Sequence, residues 1–96
     1  VIVRYTARAR DHLRAIGDHI GQDDPIAAGR VLDRIGQAVS RLEAFPLSGR
    51  RGRRRGSYEL LVPRLPYIVV YRMREDYVDI LGVFHAARHP STRTKP

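Results

Sequence analysis

Apolar positions follow one period in the first half of this chain and another in the second. Ala9, Leu13, Ile16 and Ile20 recur at spacings of 4, 3 and 4, and Ala28, Val31, Leu32, Ile35, Val39 and Leu42 repeat the same kind of stripe. That spacing predicts two amphipathic helices. Thr6 stands where an N-cap hydroxyl belongs, and Gly21 where a left-handed residue would close the first helix. Asp24-Pro25 restarts the chain with a capping carboxylate and a proline at the first helical position, and Phe45-Pro46 stops the second helix. From Tyr58 onward the period is that of extended chain. Residues 58–62, 67–72 and 77–85 are aromatic and β-branched runs, separated by Pro63 and Pro66 and then by the polar tip Arg74-Glu75-Asp76. Residues 1–5 form a further short β-branched run. The unbroken Ile80-Leu81-Gly82-Val83-Phe84 predicts burial on both faces, hence a central strand.

The two helices must bury their stripes against something, and the strands are the available surface. The pattern therefore reads as an α+β chain in the order β-α-α-β-β-β, a helical hairpin packed on a small four-stranded sheet. Residues 47–56 hold five Arg and three Gly with no periodicity, which predicts a mobile loop. Residues 89–96 turn polar and read as a loose tail. At 96 residues the expectation is a single domain over 1–96 with one modest core.

Composition narrows the classes. No apolar run reaches the ~18 residues of a membrane span. The absence of cysteine excludes disulfides and thiolate metal sites and suits the cytoplasm. His12, His19, His85 and His89 are too scattered for a zinc site, and neither a metal nor a cofactor is expected. The net charge of +8, from 17 Arg and one Lys against 10 acids, draws the chain toward acidic partners or nucleic acid. Arginine in place of lysine favours bidentate contacts to carboxylate or phosphate, and it also fits the codons of a G+C-rich genome.

Two constellations carry candidate chemistry. The first is Arg50, Arg51, Arg53, Arg54 and Arg55, a clamp for an acidic partner or a polyanion, or else a solvated loop. It lacks the Gly-Lys-Ser/Thr ending of a phosphate-binding loop. The second is His85, Arg88 and His89 at the end of the last strand, where a histidine can move protons and an arginine can neutralise phosphate. The plain alternative is a histidine that pins the chain end by hydrogen bonding. Tyr58, Tyr67, Tyr71 and Tyr77 lack the glycine-aromatic context of RNA-stacking modules and read as core-covering rings.

Six fragments in order, A-R-x-H-L-x-x-I, D-P-x-A-A-x-x-V-L-x-x-I, F-P-x-S-G-R, Y-E-L-L-V, P-Y-I-V-V-Y-R and V-D-I-L-G-V-F-H-A-A-R, span nearly the whole chain. Together they resemble the RelE/ParE toxin superfamily of type II toxin–antitoxin systems. The resemblance implies a mainly antiparallel sheet carrying a helical hairpin. It also implies a cognate antitoxin with an acidic segment, in a complex of two toxins with two antitoxins. RelE-like members cut mRNA on the ribosome with basic residues, one of which follows the tyrosine of the middle strand. The matching position here is Ile68; another basic position falls at Ala86, and residues 90–96 hold no tyrosine. An aliphatic side chain cannot stand in for guanidinium at a phosphate. ParE-like members lack that set and poison DNA gyrase, and the D-P-x-A-A start and H-x-x-R ending fit that branch.

The expectation is thus a ParE-like inhibitor of gyrase or another topoisomerase, without catalysis of its own, that contacts its target through His85, Arg88 and His89. Nucleic acid would be met only within that complex. The alternative is a ribosome-dependent mRNA endonuclease using His85, Arg88 and Arg72. A further alternative is an inactive module that only binds antitoxin.

Overall fold

The structure, a computed structural model, describes residues 1–89. Strand β1 (Ile2–Tyr5) leads into helices α1 (Ala7–Gly21) and α2 (Pro25–Ser40), and a 3-10 turn (Arg41–Glu43) follows. Strands β2 (Arg50–Arg51), β3 (Ser57–Leu61), β4 (Tyr67–Arg74) and β5 (Tyr77–His85) come next, and the described chain ends in a second 3-10 turn (Ala86–Arg88). The α+β architecture is the expected one, with one addition. The sheet has five strands, ordered β1-β5-β4-β3-β2, in which β1 is parallel to β5 and the other pairings are antiparallel.

The fifth strand comes out of the arginine-rich segment, which is not a mobile loop throughout. Arg50 pairs with Glu59 and Arg51 with Tyr58, so the segment turns back on β3 as a hairpin. Gly52 donates its N–H to Ser57 O at 2.8 Å, the Ser57 hydroxyl donates to Arg54 O, and Gly56 supplies the positive φ that the turn needs. Ahead of β2, the buried Tyr71 hydroxyl donates to Pro46 O at 2.8 Å and accepts from Gly49 N–H at 3.0 Å. A Cβ at Gly49 would stand 2.7 Å from Glu59 O, so this close approach requires glycine.

Thr6 and Asp24 cap the two helices as expected, accepting from Ala9 N–H and Ala27 N–H. The Thr6 hydroxyl also donates to Ile80 O at 2.7 Å, which ties the helix start to β5. Gly21 does not take the left-handed cap position. It is the last residue of α1, Gln22 caps in the right-handed region, and Gly21 faces Ala28 where the helices approach.

Alternation along the strands divides the sheet into two faces. Val69, Tyr71, Val78, Ile80 and Val83 meet Ala9, Ile35, Ala38, Val39 and Leu42 in one hydrophobic cluster on the helical side. Ser57, Glu59, Val70 and Arg72 point the other way. The predicted central strand is central: β5 lies between β1 and β4. A bulge sits there, because Val70 pairs with Gly82 while Tyr71 pairs with Ile80, leaving Leu81 as the extra residue. Among the described residues no helix is long and apolar enough to cross a membrane.

Candidate functional site

The outer face of the sheet carries a hollow of about 530 Å³ whose rim and floor differ in chemistry. Val70, Leu81 and Phe84 form an apolar floor, and Arg8, Arg53, Arg54 and Arg72 line it with guanidinium groups. They come from three parts of the chain. Arg72 projects from β4 opposite the core-facing Tyr71. Arg53 and Arg54 are brought over by the β2–β3 hairpin, and Arg8 stands in the first turn of α1. Arg72 Nε is buried and makes no hydrogen bond among the described residues. A buried donor of this kind is costly unless something accepts from it.

Glu59 and His89 line the same hollow. The Glu59 side chain is only 4% exposed; its carboxylate lies 3.0 Å from His89 Nε2 and 3.4 Å from Arg50 Nη2. His89 also stacks on Phe84, with ring centroids 5.0 Å apart. His89 is therefore held against the sheet rather than starting a loose tail. The rest of that expected tail, residues 90–96, lies outside the described residues.

His85 and Arg88 are placed differently. His85 is exposed at the end of β5, and its Nδ1 accepts from Ala87 N–H at 3.2 Å, capping the 3-10 turn that carries Arg88. This is the chain-pinning role. Its ring meets Tyr67 edge-on at 5.6 Å. His85 pairs with Tyr67, whereas Arg72 lies five residues further along β4, about 17 Å at the rise of a strand. The trio His85, Arg88 and Arg72 is thus not brought together. Arg72 instead lines the outer hollow with His89, Arg53 and Arg54.

Ile68 and Ala86, the positions where the family resemblance puts cations in RelE-like members, do converge. Both line a second hollow of about 540 Å³ with Arg50 and Leu61. Ile68 is only 2% exposed, although alternation along β4 puts it on the outer face with Val70 and Arg72, outside the core cluster. The five arginines of the hairpin divide. Arg50 pairs with Glu59, Arg53 and Arg54 reach the outer hollow, and Arg51 and Arg55 stay exposed along the hairpin.

The sequence reading missed three residues. Glu59 is a carboxylate between Tyr58 and Leu60, and the strand's own alternation places it on the outer face with Ser57. Arg8 had no signal beyond its helix position. His12, in sequence only one of four scattered histidines, extends the sheet. Where β1 stops pairing with β5, His12 Nδ1 accepts the edge N–H of Val83 at 3.1 Å. Burial and the neighbouring Arg8 hold its pKa below the ordinary value, which keeps that nitrogen an acceptor.

On the flank beyond the hollow, Asp79 receives Arg4 Nε and Arg74 Nε at 2.9 Å each. The Arg4 hydrogen bond holds its carboxyl below the usual range, and the nearby charge of Arg4 and Arg74 adds to this. Arg4 also lies 3.7 Å over the Tyr77 ring. No group of three or more potential metal ligands occurs among the described residues.

Comparison with known proteins places this arrangement. Residues 3–90 match the model of the ParE toxin of type II toxin–antitoxin systems, parDE. Y4kP of Sinorhizobium fredii, a protein named for a toxin role, is 49% identical over 84 residues, covering 88% of this chain and 86% of its own. Toxin RelE2 of Caulobacter vibrioides is 37% identical over 86 residues, covering 90% and 96%. A solved chain from the chromosomal ParDE toxin–antitoxin system of P. aeruginosa superposes with a TM-score of 0.81 at 25% identity, over 88% of this chain and 95% of that one. With the helical hairpin, the mixed sheet and a family match across nearly its whole length, this chain belongs to the ParE toxin family of type II toxin–antitoxin systems.

Proposed function

We propose that the chain inhibits a type II DNA topoisomerase, gyrase first, by protein contact, and that it cleaves no RNA. The observation that carries this reading is Ile68. It is 2% exposed and shares its hollow with Ala86, so the two positions that RelE-like cutting supplies with cations hold small or aliphatic side chains. Phosphoryl transfer to a 2′-hydroxyl needs charge neutralised at the phosphate, and neither residue provides it. The target contact is assigned to the exposed end of β5 and the turn after it, with Arg88 as its principal guanidinium and His85 beside it. This turn stands on a rigid strand, which suits recognition.

Neutralisation is assigned to an antitoxin with an acidic segment. The net charge of +8 steers such a segment. The exposed Leu61 at the end of β3, with exposed Phe45 and Leu47 in the segment before β2, offers an apolar landing site. The likeness to a solved chain of the P. aeruginosa ParDE toxin–antitoxin system supports such a partner, and a two-to-two complex follows from family resemblance alone.

A second reading is favoured by one feature. Arg72, Arg53, Arg54 and the Glu59–His89 pair converge on the outer hollow, which places cations beside a histidine that a carboxylate orients. Toxin RelE2 among the relatives agrees with it by name. Purified chain added to gyrase and supercoiled DNA separates the two readings. Accumulated cleaved DNA, unaffected by Arg72→Ala, supports topoisomerase inhibition. Unaltered gyrase activity together with cut mRNA on translating ribosomes supports the second reading.

A further inference from the structure

Arg30, Arg34 and Arg41 recur along α2 and the turn after it at spacings of 4 and 7, with Gln37 between the last two. At 100° per residue these side chains share one stripe, about 16 Å long at 1.5 Å per residue. The stripe forms one wall of a cleft of about 520 Å³ on the helical side of the molecule, away from the outer hollow. Arg64 forms the opposite wall, from the turn between β3 and β4. Among the described residues these four arginines form no ion pair, and Asp33 is the one carboxylate in the lining.

Arg64 supplies an independent observation. Leu65 N–H reaches Val62 O at 3.2 Å across Pro63-Arg64, and Arg64 has φ +67°. That position of such a turn ordinarily takes glycine or asparagine, because a Cβ is disfavoured there. A bulky cation held in a sparsely populated conformation at the mouth of a cationic cleft points to use of its side chain.

The lining decides what kind of anion fits. Val62 and Ala38 are 1% and 6% exposed, so the apolar floor is already covered and offers little to the side chains of an acidic helix. The exposed apolar residues suited to such a segment lie elsewhere, at Phe45, Leu47 and Leu61. Among the described residues no aromatic ring lines the cleft, so the bases of a single strand would find no stacking platform. What remains is a straight, stiff row of donors, which matches a stiff row of phosphates. We propose that this cleft holds the sugar–phosphate backbone of duplex DNA, contacted by Arg30, Arg34, Arg41 and Arg64 without base readout. This goes beyond the sequence reading, which allowed nucleic acid only within a complex, and it does not depend on the topoisomerase proposal.

The test is fluorescence anisotropy with the full chain, using a short labelled DNA duplex and the same sequence as a single strand over a range of salt. Binding should favour the duplex and be insensitive to its sequence. The double variant R30A/R34A should weaken it by about tenfold and lower the slope of log K against log salt by about 2, the loss of two phosphate contacts. Both positions are exposed on a helix, so thermal unfolding should be unchanged. Arg64→Gly should raise the thermal midpoint while weakening duplex binding. The proposal is overturned if R30A/R34A binds as the parent does, if R53A/R54A/R55A removes binding instead, if the single strand binds as tightly as the duplex, or if the chain binds polyglutamate but neither DNA. A raised midpoint with unchanged binding in Arg64→Gly counts against it too.

Discussion

Glu59 and His89 meet on the outer face of the sheet at 3.0 Å, although β4 runs between the strand that carries Glu59 and the strand that leads to His89. The contact ties the segment after β5 across three strands and closes one side of the arginine-lined hollow. His89→Ala removes this hydrogen bond and the stacking on Phe84. The expected loss is on the order of 1–3 kcal/mol of stability, read as a lowered midpoint in thermal or urea unfolding. An unchanged midpoint would mean that the pair does not hold the segment after β5.

Tyr71→Phe deletes a single oxygen from a side chain that is fully buried. It leaves Pro46 O and Gly49 N–H without their partner in a segment that β2 depends on. We expect a loss of about 1–2 kcal/mol, with faster hydrogen exchange at the Arg50 and Arg51 amides. Exchange as slow as in the parent would show that β2 stands without the tyrosine.

Stability should fall in two separate steps as the solution is acidified. His12 has a folded pKa below its ordinary 6.5, so the unfolded chain binds the extra proton more readily. The stabilisation is complete above pH 6.5 and is lost as pH falls through the lower, folded value. Arg8 opposes protonation, Asp11 favours it, and Phe84 covers the ring. Asp79 behaves likewise lower down. Its contribution is intact above its ordinary 3.8 and disappears as pH drops through the depressed value set by Arg4 and Arg74. His12→Gln should abolish the upper step and Asp79→Asn the lower one in unfolding midpoints measured against pH. A step that survives its own substitution would refute the assignment.

The helices, their stripes, both N-caps and the central β5 were legible in the chain because periodicity and capping chemistry are local. Two features were not. The two-residue β2 has no hydrophobic pattern, and it exists because the Tyr71 hydroxyl, more than twenty residues downstream, fixes Pro46 and Gly49. The outer hollow gathers Arg8, Arg53, Arg72 and His89 from four elements, and no spacing in sequence marks them as neighbours. The end of β5 divides residues that are close in sequence for a related reason. His85 and His89 are four apart, yet one caps an exposed turn while the other folds back under Phe84.

Growth inhibition separates the exposed turn from the hairpin. Arg88→Ala should keep the parent's unfolding midpoint and lose most toxicity, while R53A/R54A/R55A should stay toxic. A fully toxic, folded Arg88→Ala protein beside a harmless hairpin variant would move the target surface to the arginine hairpin.

The most direct measurement is induction of the chain in a bacterial host, with the DNA-damage response and mRNA integrity followed in the same culture. Topoisomerase inhibition predicts a rising DNA-damage reporter with intact transcripts by primer extension, and the same outcome for Arg72→Ala. Codon-phased mRNA cuts without a DNA-damage response, abolished by Arg72→Ala, would contradict it.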